Sequence, residues 1–159
     1  MNAMSARKHP WTRLLLLGSL WISTGLAARP ELPESGSNEA NRQLVINFYQ
    51  KFFNDHQLQA AAVLVDDYRQ HNPGVPDGKA PFLHYFQGWF QQHPQARARI
   101  IRSATDGDLV YLHVHSTAGP GDRGRAIVDI FRVRNQRIVE HWDVIQNVPA
   151  VSANDNTMF

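Results

Sequence analysis

At Pro94 the apolar pattern of this chain changes period, and that change limits the folds open to it. Before Pro94, Leu44, Val45, Phe48, Tyr49, Phe52 and Phe53 recur at helical spacing, with Asn38 placed to cap the start and Asn54–Asp55 to end the run. Leu58, Ala61, Ala62, Leu64 and Val65 predict a second, shorter helix. Residues 68–72 read as a brief extended piece before the strong turn signal at 73–78. A third helix is expected from about 80 to 92, with Phe82, Leu83, Phe86, Trp89 and Phe90 on one broad face, and His93–Pro94 stops it. After Pro94 the pattern alternates, and 98–105, 109–116, 125–134 and 137–148 are predicted as four strands. Three helices followed by an antiparallel meander must cover one sheet face with the helices, which is an α+β domain.

The first residues are a separate matter. Arg7, Lys8 and Arg13 precede an apolar run from Leu14 to Leu26, and Gly25–Leu26–Ala27 supplies small residues for cleavage, so 1–27 reads as a secretory signal peptide. The expected address is exported, periplasmic or secreted, with no membrane association once the signal is removed. Residues 28–37, rich in Pro, Glu, Ser and Gly, read as a flexible leader. Residues 38–150 suffice for one compact domain, and 151–159 are expected to be a disordered tail. Removing Arg7, Lys8 and Arg13 leaves 13 basic against 14 acidic side chains, a near-neutral balance that gives no reason to expect a nucleic-acid partner. The chain has no cysteine, which excludes disulfide stapling and thiol catalysis.

Ionisable groups inside the last two predicted strands mark the candidate site. His141 and Asp143 lie two apart on a strand and therefore share a face with Val139 and Ile145. A two-residue turn at Asn135–Gln136 would pair odd with even positions and send Asp129 to the other face. A three-residue loop with a bulge would pair odd with odd and set Asp129 and Phe131 beside His141 and Asp143. Ile127, Phe131, Val133, Val139 and Ile145 are odd and apolar, which favours the second register. Buried charge is costly unless paired or used, so this cluster is either a structural Asp–His bond or a general acid/base site. His113 and His115 share another strand face and with His141 could supply three metal-ligating nitrogens, but the preferred reading has no metal and makes His113 a polar group of the pocket. Asn72, beside His71 at the 73–78 turn, either orients a substrate carbonyl or caps the turn. The aromatics, among them Tyr49, Phe86, Trp89 and Phe131, suit both a core and a pocket for a flat apolar ligand. Arg97, Arg99 and Arg102 are assigned to a solvated or interface strand face.

The order of elements, the Tyr68 … His71–Asn72–Pro73 turn, and the closing strands Asp129–Ile130–Phe131–Arg132 and Ile138–Val139–Glu140–His141–Trp142–Asp143 resemble the SnoaL-like polyketide cyclases of the nuclear transport factor 2-like superfamily. The resemblance covers residues 38–148. It implies an α+β cone, three N-terminal helices packed on a curved antiparallel sheet with a deep pocket, and a homodimer across the outer sheet face. It implies a cyclase or isomerase that uses no cofactor and acts on a small apolar or aromatic carbonyl compound, or a ligand-binding module of the same fold. By position, the family's acid/base aspartate falls on Asp143 and the pocket asparagine on Asn72. A histidine of the cyclases is replaced by Asp129, His141 precedes the catalytic position in the H-x-D segment, and Gln136 stands where the last hairpin usually has glycine.

Overall fold

The protein is described over residues 37–159 of a computed structural model; the predicted signal peptide, and the predicted leader apart from Ser37, lie outside the described residues. Helix α1 spans Asn38–Tyr49. Its cap is Ser37 rather than Asn38: Ser37 has extended ψ and its Oγ accepts the Ala40 N–H at 3.2 Å, while Asn38 is already helical. Val45, Phe48 and Phe52 form the inward stripe, and α1 runs on into a π-helical turn over Gln50–Asn54. There the Asn54 amide pairs in both directions with the Ala98 backbone, donating to its carbonyl at 3.1 Å and accepting its N–H at 2.7 Å. That pair fixes the end of the helix against the sheet.

The second predicted helix is instead a 3₁₀ segment, Leu58–Val63. Gln57 before it is extended and Leu64 after it begins a strand, which leaves too few residues to propagate an α-helix. Strand β1, Leu64–Gln70, contains most of the predicted extended piece. Helix α2, Lys79–Gln92, follows Gly78 at φ 98°, and Pro81 in its first turn loses no hydrogen bond there. Four further strands follow: β2 Arg97–Asp106, β3 Leu109–Thr117, β4 Arg125–Arg134 and β5 Arg137–Asn147. They match the four predicted strands within two residues at each end. The sheet order is β1-β5-β4-β3-β2, with β1 parallel to β5 and the other pairs antiparallel.

Val110, Leu112 and Val114 of β3, Ile127, Phe131 and Val133 of β4, and Ile138 of β5 form the buried sheet face. The helices close over it with aromatics: Phe48 meets Phe131 edge-on at 6.1 Å, and Phe52 stacks on Phe82 at 5.0 Å. Burying each such side chain contributes about 1.5–3 kcal/mol, which lets a chain without disulfides hold this fold.

The β4–β5 hairpin reaches the odd-with-odd register by a route other than the three-residue loop. Asn135 and Gln136 both have positive φ, 49° and 57°, and Arg134 pairs with Arg137, which makes a tight two-residue turn. Val133 then pairs with Ile138, but Arg132 pairs with Glu140, so Val139 is an extra residue in β5. The bulge exchanges parity: Ile138, not Val139, fills the core, and beyond it His141 and Asp143 turn inward opposite Phe131 and Asp129.

Candidate active site

The concave sheet face and the two helices enclose a cavity of about 240 Å³. That is small beside the roughly 300–1,000 Å³ of drug-sized ligand pockets. Phe53, Phe82, Phe86, Trp89, Phe90 and Phe131 supply apolar wall, and Tyr49, Gln70, Asn72, Asp129, His141 and Asp143 meet as a polar cluster.

Two hydrogen-bond chains organise that cluster. In the first, the Asn72 backbone N–H donates to Gln70 Oε1 at 3.0 Å, and a backbone N–H has no acceptor role. The same oxygen lies 2.7 Å from His141 Nδ1, so Nδ1 must carry a hydrogen and donate. His141 Nε2 then faces Asp129 Oδ1 at 2.9 Å, and that contact is a hydrogen bond only with a further proton between the two atoms. The Tyr49 hydroxyl donates to the other Asp129 oxygen at 2.8 Å. Asp129 and His141 are only 5% and 7% exposed, so a shared proton that leaves the pair neutral overall resolves the cost of burying them. Burial, reinforced by the Asp129 carboxylate, pushes the Tyr49 phenol well above its ordinary pKa, so Tyr49 remains a donor.

In the second chain, the Gly74 N–H donates to Asn72 Oδ1 at 2.8 Å, which orients the amide so that Nδ2 donates to Asp143 Oδ2 at 2.6 Å. No described residue donates to Asp143 Oδ1, and Asp143 lines the cavity half-buried. The site therefore holds one carboxylate that is anchored on one oxygen and open on the other. Asp129 and Asp143 are direct cross-strand partners, placed together by the bulge at Val139.

Of the residues singled out from sequence, Asp129, His141, Asp143, Asn72, Tyr49, Phe86, Trp89 and Phe131 all line this cavity. His71 and His113 do not. His71 follows inward-facing Gln70, so alternation turns it outward, where Nε2 donates to Glu140 at 2.9 Å and the ring stacks on Trp142 at 4.6 Å. On β3 the even positions fill the core, so His113 also faces outward, against Arg102 and Phe159. His115 stacks on Phe159 as well, at 4.2 Å, so His113 and His115 lie across the sheet from His141 and the three cannot share an ion. Among the described residues the donor set able to converge on a metal is Asp129, His141 and Asp143, one ligand atom from each lying within 4.8 Å of the others.

Sequence reasoning missed Gln70, which fixes the His141 tautomer, because glutamine at a strand end has no distinctive signal. Arg97 also lines the cavity while it stays solvent-exposed. On the outer face, Glu140 accepts from Arg132 at 2.9 Å, and Arg132 also donates to Asp108 at 2.7 Å. Burial raises the Glu140 carboxyl, but hydrogen bonds from His71 and Arg132 outweigh it and hold the pKa below its ordinary value.

The SnoaL-like domain family model matches residues 45–141, more than half of the chain. No curated protein sequence matches significantly. Among solved structures, a loop-truncation variant of IdmH is similar at 23% identity, covering 66% of this chain and 91% of that one, with a TM-score of 0.56. A Kribbella flavida protein assigned as a ketosteroid isomerase is similar at 20% identity, covering 74% of this chain and 85% of that one, TM-score 0.59. A Bacillus cereus protein assigned as a polyketide cyclase is similar at 19% identity, covering 74% and 89%, TM-score 0.59. Likeness at this identity speaks to the fold alone, an α+β domain of the nuclear transport factor 2-like kind. The family match, from Val45 in α1 to His141 in β5, places the chain in the SnoaL-like domain family.

Proposed function

We propose that the protein is an acid/base catalyst of the aldol-cyclase or isomerase type, acting on a small, largely apolar carbonyl compound. The observation that carries this reading is Asp143, which lines the cavity with Oδ2 pinned by Asn72 and Oδ1 without a hydrogen-bond partner among the described residues. A carboxylate so placed is oriented to take a proton from a carbon next to a carbonyl and return it elsewhere on the same molecule. Asn72 is a positioning residue, itself held by the Gly74 N–H. The Asp129–His141 pair keeps a second proton at the cavity wall, where it can meet negative charge developing on the carbonyl oxygen. The aromatic walls exclude water and strengthen both effects. Nothing in this scheme calls for a cofactor. Export through the signal segment and dimerisation across the outer sheet face belong to the same proposal.

A non-catalytic binding module would be favoured by Asp143 and His141 saturating each other. They do not: His141 bonds Gln70 and Asp129, and Asp143 bonds Asn72. Deuterium exchange into a panel of β-dicarbonyl compounds, comparing wild type with Asp143→Asn, tests the reading. Wild-type exchange that the substitution abolishes supports it; equal exchange by both removes Asp143 from the mechanism.

A further inference from the structure

The cavity carries a positive group opposite its carboxylates, and the acid/base scheme does not use it. Arg125 occupies an inward position of β4, in register with Ser116 and Asn147 and on the same face as Ile127 and Asp129. It lines the cavity half-buried, its guanidinium 5.9 Å from the centre of the Trp89 ring. Among the described residues it makes no ion pair and no side-chain hydrogen bond. Asp122 is the carboxylate that feels Arg125 through space, but its oxygens are committed to the backbone N–H groups of Ala118 and Gly124 at 2.8 and 2.9 Å. Arg97, the first residue of β2, lines the same cavity, and its Nη1 donates to the Ala96 carbonyl at 2.7 Å. Arg125 also borders a second hollow with Asp122 and Asn147, and a half-buried guanidinium that has no ion pair there gains from an anion that meets it.

We propose that the ligand of this cavity is an amphipathic anion: a carbonyl compound whose reacting carbon lies at Asp143 and whose far end is a carboxylate held by Arg125, with Arg97 assisting. This rests on the acid/base reading and adds the substrate class to it. Asp129 lies four residue steps along the strand from Arg125, about 13 Å of backbone. The ligand therefore has an apolar spacer between its two polar ends, and the aromatic wall covers that spacer. Arginine suits the role because its planar fork binds a carboxylate through two parallel hydrogen bonds. The polarity of the cavity also sets ligand direction, since a carboxylate at the Asp129–Asp143 end would meet like charge.

The test uses a linear β-diketone with a terminal carboxylate and its methyl ester, titrated calorimetrically into the wild type, Arg125→Gln, Arg125→Lys and Arg97→Gln. The wild type should bind the acid about tenfold or more tighter than the ester, as for a charge-assisted hydrogen bond. Arg125→Gln should weaken the acid to the level of the ester and leave ester binding unchanged, which also shows the cavity intact. Arg125→Lys should keep part of the preference, and Arg97→Gln should reduce it less than Arg125→Gln. Equal binding of acid and ester, undetectable binding of the acid, or an Arg125→Gln effect equal on both compounds overturns the proposal. Acid preference without Asp143-dependent exchange would keep this inference and discard the catalytic one; exchange on the ester with no acid preference would do the reverse.

Discussion

Tyr49→Phe isolates one bond of the buried chain with almost no change of shape. The hydroxyl donates to Asp129 Oδ2 at 2.8 Å, and the two residues are 3% and 5% exposed, so water is a poor replacement. A hydrogen bond to a charged acceptor contributes about 1.5–3 kcal/mol, and removing the donor leaves the buried acceptor unpaired. The expected loss is about 2 kcal/mol, or roughly 6–8 °C in Tm for a domain of this size. Urea denaturation followed by tryptophan fluorescence should show a lower midpoint with an unchanged slope. The pH dependence has a definite sign. Burial first, then the Asp129 charge, raises the folded pKa of Tyr49, so its contribution is complete below the ordinary tyrosine value of about 10 and falls as pH rises beyond it. The gap between wild type and variant should hold at pH 6–9 and narrow above about pH 10. Tyr68 is also raised by burial, so the variant keeps a shallower alkaline decline. A loss below about 0.5 kcal/mol would refute the view that Asp129 depends on Tyr49 for its hydrogen bonding.

Gln136→Gly should stabilise the protein by about 0.5–1 kcal/mol, because Gln136 holds φ 57° in the last hairpin turn; an unchanged or lower denaturation midpoint would count against strain there. Glu140→Gln should flatten the acid side of the stability curve. The folded pKa of Glu140 is depressed, so its contribution is present above the unfolded value of about 4.3 and lost as pH falls through the lower folded one. Denaturation midpoints at pH 3–6 should therefore decline less steeply in the variant. Asn72→Ala should leave ligand binding near wild type but slow exchange about tenfold or more, since the Asp143 carboxylate loses its anchor; unchanged exchange would show that Asn72 only shapes the turn.

The sheet and its buried face were legible because alternation in β3, β4 and β5 is strong, and the odd apolar residues Ile127, Phe131 and Val133 pointed to the register that joins Asp129 with Asp143. The means of reaching that register was hidden. A bulge at Val139 follows from packing Ile138 into the core after a two-residue turn, and no residue type announces it. His113 was misplaced because parity on β3 belongs to Val110, Leu112 and Val114, whose claim on the interior outweighs a polar H-x-H pattern. Gln70 and Arg125 gain significance only from what surrounds them: one fixes a tautomer, the other has no ion pair among the described residues and stands at a cavity wall. Strand β1 was half seen, because its pairing with β5 is parallel and carries no hairpin signal.

On this reading Asp143 Oδ1 takes the substrate proton while Asn72 pins the other carboxylate oxygen. A crystal structure with a β-diketone dimethylated at its central carbon, which has no proton to give at that carbon, tests this. Its dimethyl carbon should lie in the cavity, with methyl groups in van der Waals contact with Asp143 Oδ1 at about 3.5 Å and the Asn72–Asp143 hydrogen bond intact. A bound analogue whose central carbon lies away from Asp143, or an Asp143 turned out of the cavity, would contradict it.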